Sequence, residues 1–252
     1  MRRYEGRNYL VLGASGRIGA SLCRLLRSEG AQLLLAARRE EPLRALADEI
    51  GATYRVADAT SFLDVENAAA QAVEHHGALD GIVNTVGGGN VGTPAHLTME
   101  PEWATTIAST LGSAFAVIRA AALTMESGGA VVLISSAAAS IGLLDHDLIS
   151  AAAAGVEGLT RSAAATYAPR LRVNAVASGL RGMQALTGAS STEPAPTRAG
   201  EPADIASAVA FLLDPANAWI TGQVLGVDGG LSYLRARAAW GLPTGPDGGR
   251  HE

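Results

Sequence analysis

The sequence predicts an α/β fold: a doubly wound parallel sheet of about seven strands with helices on both faces. Three observations predict it. Short apolar runs alternate with longer Ala/Leu-rich segments of helical period along nearly the whole chain. The first apolar run passes directly into a glycine-rich turn, Gly13-Ala14-Ser15-Gly16-Arg17-Ile18-Gly19, and then into a helical pattern. With 252 residues, 48% hydrophobic and 17% charged, the chain can bury one large core, and no shift in composition marks a second.

Taken in order, Tyr9 to Leu12 is the first strand, and 17–29, with Leu22, Leu25 and Leu26 at helical spacing, is the first helix. The run at 31–37 is the second strand, followed by a helix at 40–50 that opens on Glu40 and Glu41. A third strand at 52–57 leads to the Ala-rich helix 62–76, whose closing His75 and His76 suit a helix C-terminus. Strands at 80–84 and 129–135 flank a long apolar helix at 101–126. A helix at 148–168, a strand at 171–176, a helix at 202–213 and a strand at 223–227 complete the pattern. Right-handed crossovers then wind the sheet and leave a ligand crevice at the carboxyl ends of the strands. The Gly/Ser/Thr/Pro-rich stretch 180–200 reads as a loop over that crevice. We expect one domain over 1–235 and a loosely ordered Gly/Pro-rich tail over 236–252.

Charge and composition narrow the function classes. A net charge of −5 offers no electrostatic footprint for nucleic acid. The short apolar run behind Arg2 and Arg3 reads as a strand and not a signal peptide, so we expect a soluble cytoplasmic protein with no membrane partner. Cys23, the single cysteine, falls on the apolar side of a helix and reads as a core thiol. No His, Cys, Asp and Glu spacing resembles a metal site.

The glycine loop has the chemistry of a dinucleotide cradle. Gly13, Gly16 and Gly19 allow a tight turn, and the backbone around Ser15, Arg17 and Ile18 can approach a pyrophosphate at the positive end of the helix. The second strand ends at Arg38 and Arg39, where an acidic residue would bond a ribose 2'-hydroxyl. An arginine fork there suits a 2'-phosphate, with Arg38 the candidate and Arg17 a possible helper, which favours NADP(H) over NAD(H). The alternative is a pair of solvated arginines that open a helix. Asp58, after the third strand, is placed to accept from an adenine amino group.

With these landmarks the chain resembles a classical short-chain dehydrogenase/reductase over residue 8 to about 232. The resemblance rests on the glycine loop, Ala57-Asp58, Asn84-Thr85-Val86-Gly87, Glu102-Trp103, Ile134-Ser135-Ser136, Arg172-Val173-Asn174-Ala175-Val176, Arg198 to Ile205, and Val227-Asp228-Gly229-Gly230. The glycine spacing is GxxGxxG, with Arg17 where the family's usual loop has its middle glycine. The resemblance implies a Rossmann-type sheet of strand order 3-2-1-4-5-6-7 and a nicotinamide cofactor that Asn84 and Gly179 help to hold. It also implies a small-molecule substrate and a homodimer or homotetramer.

The same resemblance implies a Ser-Tyr-Lys-Asn proton relay, and here the chain departs. Ser136 matches the serine, but the tyrosine's position holds Ile149, the lysine's Ala153 and the asparagine's Thr110. No lysine occurs anywhere: all 19 Lys+Arg are arginine. A positioned general acid contributes roughly 10²- to 10⁴-fold, so its loss without a substitute leaves a poor reductase. The adenosine end of a cofactor should therefore bind better than the nicotinamide end. One replacement is at hand in Asp145-His146-Asp147, where His146, oriented by Asp145 or Asp147 beside Ser136, could transfer a proton. The competing reading is a polar loop with Asp147 as the N-cap of the next helix. Three functions stay open: a divergent NADP(H)-dependent enzyme with noncanonical proton transfer, redox or not, which the Asp-His-Asp loop favours; a catalytically silent nucleotide-binding sensor or partner of an active homologue; or a sheet that binds another adenosine-containing ligand.

Overall fold

The computed structural model describes residues 2–88, 93–179 and 200–232. Seven parallel strands form one sheet in the order β3-β2-β1-β4-β5-β6-β7: β1 (Asn8–Leu12), β2 (Gln32–Ala37), β3 (Thr53–Val56), β4 (Gly81–Asn84), β5 (Gly129–Ser136), β6 (Leu171–Ser178) and β7 (Val224–Val227). Strand order reverses beside β1, which pairs with β2 through Leu10↔Leu34 and with β4 through Leu10↔Ile82. Crevices that hold ligands form at such a reversal, outside the carboxyl ends of the strands. Most of the expected loop 180–200, including Arg198, and all of the tail 236–252 lie outside the described residues.

Strand alternation sorts the core into two layers. Tyr9, Val11, Leu33 and Leu35 point to one face, where α1 (Arg17–Ser28), α2 (Glu40–Ile50) and α7 (Pro202–Leu213) cover them. Leu10, Leu12 and Leu34 point to the other, under α3 (Phe62–His76), α5 (Ser113–Thr124) and α6 (Asp147–Tyr167). Burial on both faces is why these strands read as continuous apolar runs. Cys23 is buried in the first layer, and burial pushes its thiol pKa up, as expected for an unreactive core thiol. Tyr167 packs against the second layer.

The helix expected at 101–126 is subdivided. It runs as α4 (Glu100–Ile107), a π turn at Ala108–Gly112, and α5. Across the turn, Ser113 Oγ donates to the Ser109 carbonyl at 2.6 Å, and Ser109 Oγ lies 3.3 Å from the Thr106 carbonyl. These small hydroxyl side chains compete for backbone acceptors and so accompany the widened turn. The Glu100–Thr124 stretch is long and apolar enough to cross a membrane, but half of its most apolar window is buried inside the protein.

Helix α6 starts one residue earlier than expected, and this corrects one side-chain assignment. His146 occupies the N-cap without a side-chain capping bond, while Asp147 lies in the first turn. The Asp147 carboxylate accepts instead from the Ala95 amide at 2.9 Å, which ties α6 to a 3-10 turn at Ala95–Leu97.

Candidate active site

The glycine loop sits at the carboxyl end of β1, folded as tightly as its glycines allow. Gly13 has φ +76°, and a Cβ there would stand 2.7 Å from Thr85 Oγ1; a Cβ on Gly19 would stand 2.3 Å from the Gly13 carbonyl oxygen. Gly16 forms the N-cap of α1 and offers no side chain to cap it. The first amides of the helix, which have no intrahelical acceptor, are thus open to an anion. These features fit the diphosphate of a dinucleotide.

The residues expected at an adenosine end come from separate strands. Arg38 and Arg39 are exposed at the end of β2, and Arg39 is the N-cap residue of α2. Asp58 follows β3, and its Oδ1 accepts from the Thr60 amide at 2.9 Å and the Thr60 hydroxyl at 2.8 Å. The Thr60 amide lowers the Asp58 pKa below its ordinary value; partial burial opposes this, and the Thr60 hydroxyl and the charge of Arg38 add to it. The charge of Arg38, from the end of β2, thus reaches Asp58 after β3.

Below the loop lies a cavity of about 350 Å³. Gly16, Arg17, Ile18 and Gly19 form one wall; Thr85, Gly87, Gly88 and Thr110 form a second; Ile134, Ser135, Ser136, Ile149, Ala153 and Ser178 close it. Of these described residues, Arg17 alone is ionisable. Ser136 reaches the cavity from the end of β5, and its Oγ accepts from the Ala138 amide at 3.2 Å. Ile149 and Ala153, 7% and 0% exposed, face it from α6. Ser135 Oγ lies 3.3 Å from the Ala153 carbonyl and 3.2 Å from Glu157 Oε1, so its hydroxyl is held toward α6.

Several expected residues stand elsewhere. His146 does not line the cavity; its Nδ1 lies 2.6 Å from the Leu144 carbonyl, on the exposed loop before α6. Asp145 adopts φ +57°, and Asp147 is engaged with Ala95, so neither carboxylate is shown bonded to the imidazole. His96 sits exposed in the Ala95–Leu97 turn. Asn84 is buried, donating to Ser113 Oγ at 2.9 Å and accepting from the Val86 amide at 3.0 Å; it shapes the turn after β4 and does not line the cavity. Gly179 is packed against Asp228, where a Cβ would come within 2.5 Å. Ser15 lines a neighbouring groove, shared with Arg17, Arg24 and Glu201.

Thr85, Gly87, Gly88 and Ile134 are cavity residues that sequence reasoning did not assign a role. The available signal was position: each lies at or just beyond the carboxyl end of β4 or β5, where a doubly wound sheet opens its crevice.

Comparison with known proteins gives the same frame. Residues 13–232 match the family described as enoyl-(acyl carrier protein) reductase. An uncharacterized oxidoreductase of Mycobacterium tuberculosis is 33% identical over 250 residues, covering 92% of this chain and 95% of the relative. The A-factor type gamma-butyrolactone 1'-reductase of Streptomyces virginiae is 33% identical, covering 89% and 95%. The structure of a short-chain type dehydrogenase/reductase from Mycobacterium ulcerans superposes with a TM-score of 0.84 at 28% identity, covering 91% of this chain and 90% of that one. The sheet order, the glycine loop and these matches agree: this chain belongs to the short-chain dehydrogenase/reductase family of oxidoreductases, which bind nicotinamide nucleotides.

Proposed function

We propose that the chain binds NADP(H) in preference to NAD(H), and that its site is degenerate at the nicotinamide end. It holds the nucleotide and a small-molecule ligand without the family's fast carbonyl reduction. One observation carries the reading: no described residue lining the cavity can donate or accept a proton near neutral pH, because Arg17 is its single ionisable group.

The chain's own residues divide the work accordingly. The glycine loop would hold the diphosphate, Arg38 the 2'-phosphate and Asp58 the adenine amino group. A bound nicotinamide supplies hydride-transfer chemistry. Ser136 can donate one hydrogen bond to a carbonyl oxygen at the cavity wall and so orient it. Ile149 and Ala153 offer neither a proton nor a contact to the nicotinamide ribose, and Ile134 and Ile149 exclude water from the floor.

The enzyme reading, with Ser136 and His146 as the proton-transfer pair, has one observation in its favour, the position of Ser136 on the cavity. The bond between His146 and the Leu144 carbonyl works against it.

The same proposal makes the protein a single domain over 1–235, a cytoplasmic homodimer or homotetramer with no nucleic-acid or membrane partner. Exposed Trp103, Phe115 and Leu123 on the 100–124 helix, and Trp219 and Leu225 beside β7, are apolar surface that self-association would cover.

Calorimetric titration with NADPH and NADH, joined to a turnover assay on a panel of ketones, tests the proposal. We expect NADPH to bind more tightly than NADH, with turnover near background. Rapid NADPH-dependent reduction of any ketone overturns the silent reading, and absence of binding by either nucleotide overturns the whole.

A further inference from the structure

Two hollows meet at the glycine loop, the cavity under β4 and β5 and a groove of about 470 Å³ between the starts of α1 and α7. Gly16 and Arg17 line both. Arg17 is the first residue of α1, exposed, with no hydrogen bond or ion pair among the described residues; its neighbours Arg24 and Arg27 are engaged with Glu49 and the Ile50 carbonyl. Glu201 borders the same groove without pairing to Arg17. A permanent cation thus stands on the ridge that a dinucleotide's diphosphate must cross, just where the loop amides are uncapped.

We infer that Arg17 is an affinity residue for the diphosphate: a side-chain clamp added to the backbone cradle, and not a reader of the 2'-phosphate or of the second ligand. The inference rests on the nucleotide reading above. A guanidinium presents a planar fork that pairs with phosphate oxygens through two charge-assisted bonds. Arg38, at the end of β2, serves the 2'-phosphate separately. Because the diphosphate is common to NADPH and NADH, Arg17 strengthens both equally and leaves their ratio untouched, whereas Arg38 sets the ratio. Binding strength is thereby concentrated in the ADP-ribosyl half of the ligand, away from the apolar cavity floor.

The test is titration of NADPH and NADH into the full-length protein and its Arg17→Gly, Arg17→Gln and Arg38→Gln variants, with thermal melting to verify folding. Expected is a loss of roughly tenfold or more for both nucleotides in each Arg17 variant, the scale of a charge-assisted hydrogen bond, at an unchanged NADPH/NADH ratio. Arg38→Gln should change the ratio instead. Loss confined to NADPH shows that Arg17 reads the 2'-phosphate and overturns the inference, as does unchanged affinity for both. If the unaltered protein binds neither nucleotide, the nucleotide reading itself has failed. Unaltered binding in the Arg17 variants leaves that reading standing and removes this inference alone.

Discussion

Thr110 Oγ1 accepts a hydrogen bond from the Gly88 amide at 3.2 Å, across 22 residues of chain, and so ties the loop after β4 to the π turn between α4 and α5. Both residues line the cavity, and a Cβ added at Gly87, the residue before Gly88, would lie 3.8 Å from Thr110 Oγ1.

Thr110 is 4% exposed, so Thr110→Val keeps the shape of the wall while stranding the Gly88 amide. A stranded donor costs about 1–3 kcal/mol when fully buried, and the part-buried Gly88 amide should fall at the lower end. Thermal melting should record a lower Tm for Thr110→Val and near-recovery for Thr110→Ser. An unchanged Tm in Thr110→Val means that water replaces the bond at no cost.

Ile149→Tyr combined with Ala153→Lys restores the two groups that the family uses for proton transfer. We expect NADPH-dependent ketone reduction on the order of 10²-fold above the unaltered chain, the lower end of what a positioned general acid contributes. Because Ala153 is fully buried, the lysine should also lower stability, which melting will show. Correctly folded double variants with background rates indicate that the cavity cannot position a substrate.

His146→Ala should leave nucleotide affinity and any turnover within about twofold, the spread expected of a half-buried loop residue away from the cavity. The side chain is bonded to its own loop and stands off the cavity lining. A loss of turnover of more than tenfold, with folding intact, restores His146 to the proton-transfer role.

Acid sensitivity should be traceable to Asp214. Burial alone would raise its pKa, but the Ala216 amide, the Arg3 guanidinium and the charge of Arg172 outweigh burial and hold the folded value below the ordinary one. A depressed folded pKa contributes stability that is fully present above the unfolded value of about 3.9 and is lost as pH falls through the folded value. The Tm gap between the unaltered chain and Asp214→Asn should therefore be constant near neutrality and shrink below about pH 4. A gap independent of pH through that window rules Asp214 out as the titrating group.

Much of this architecture was legible before folding, because it depends on local pattern. Apolar runs of strand length, helical spacing such as Leu22 to Leu26, and glycines at 13, 16 and 19 are short-range steric and burial statements. They led to a doubly wound parallel sheet and a nucleotide loop, and β1 through β7 fall within one or two residues of the expected strands. The positions of Arg38 and Asp58 just past the ends of β2 and β3 were legible the same way.

The cavity wall and the contacts around it were not legible, because their bonds join residues far apart in the chain. Thr110 meets Gly88, Asn84 meets Ser113, and Asp147 meets Ala95 across 52 residues. No local spacing announces such pairs; they exist because the sheet brings distant strand ends to one edge and buried polar groups there must find partners. That is why Asp147 proved to be a tether and not a cap, and why Asn84 turned inward to the fold. The identity of residues 17, 149 and 153 was written in the chain; that all three face one cavity, with Arg17 its single described charge, required the folded molecule.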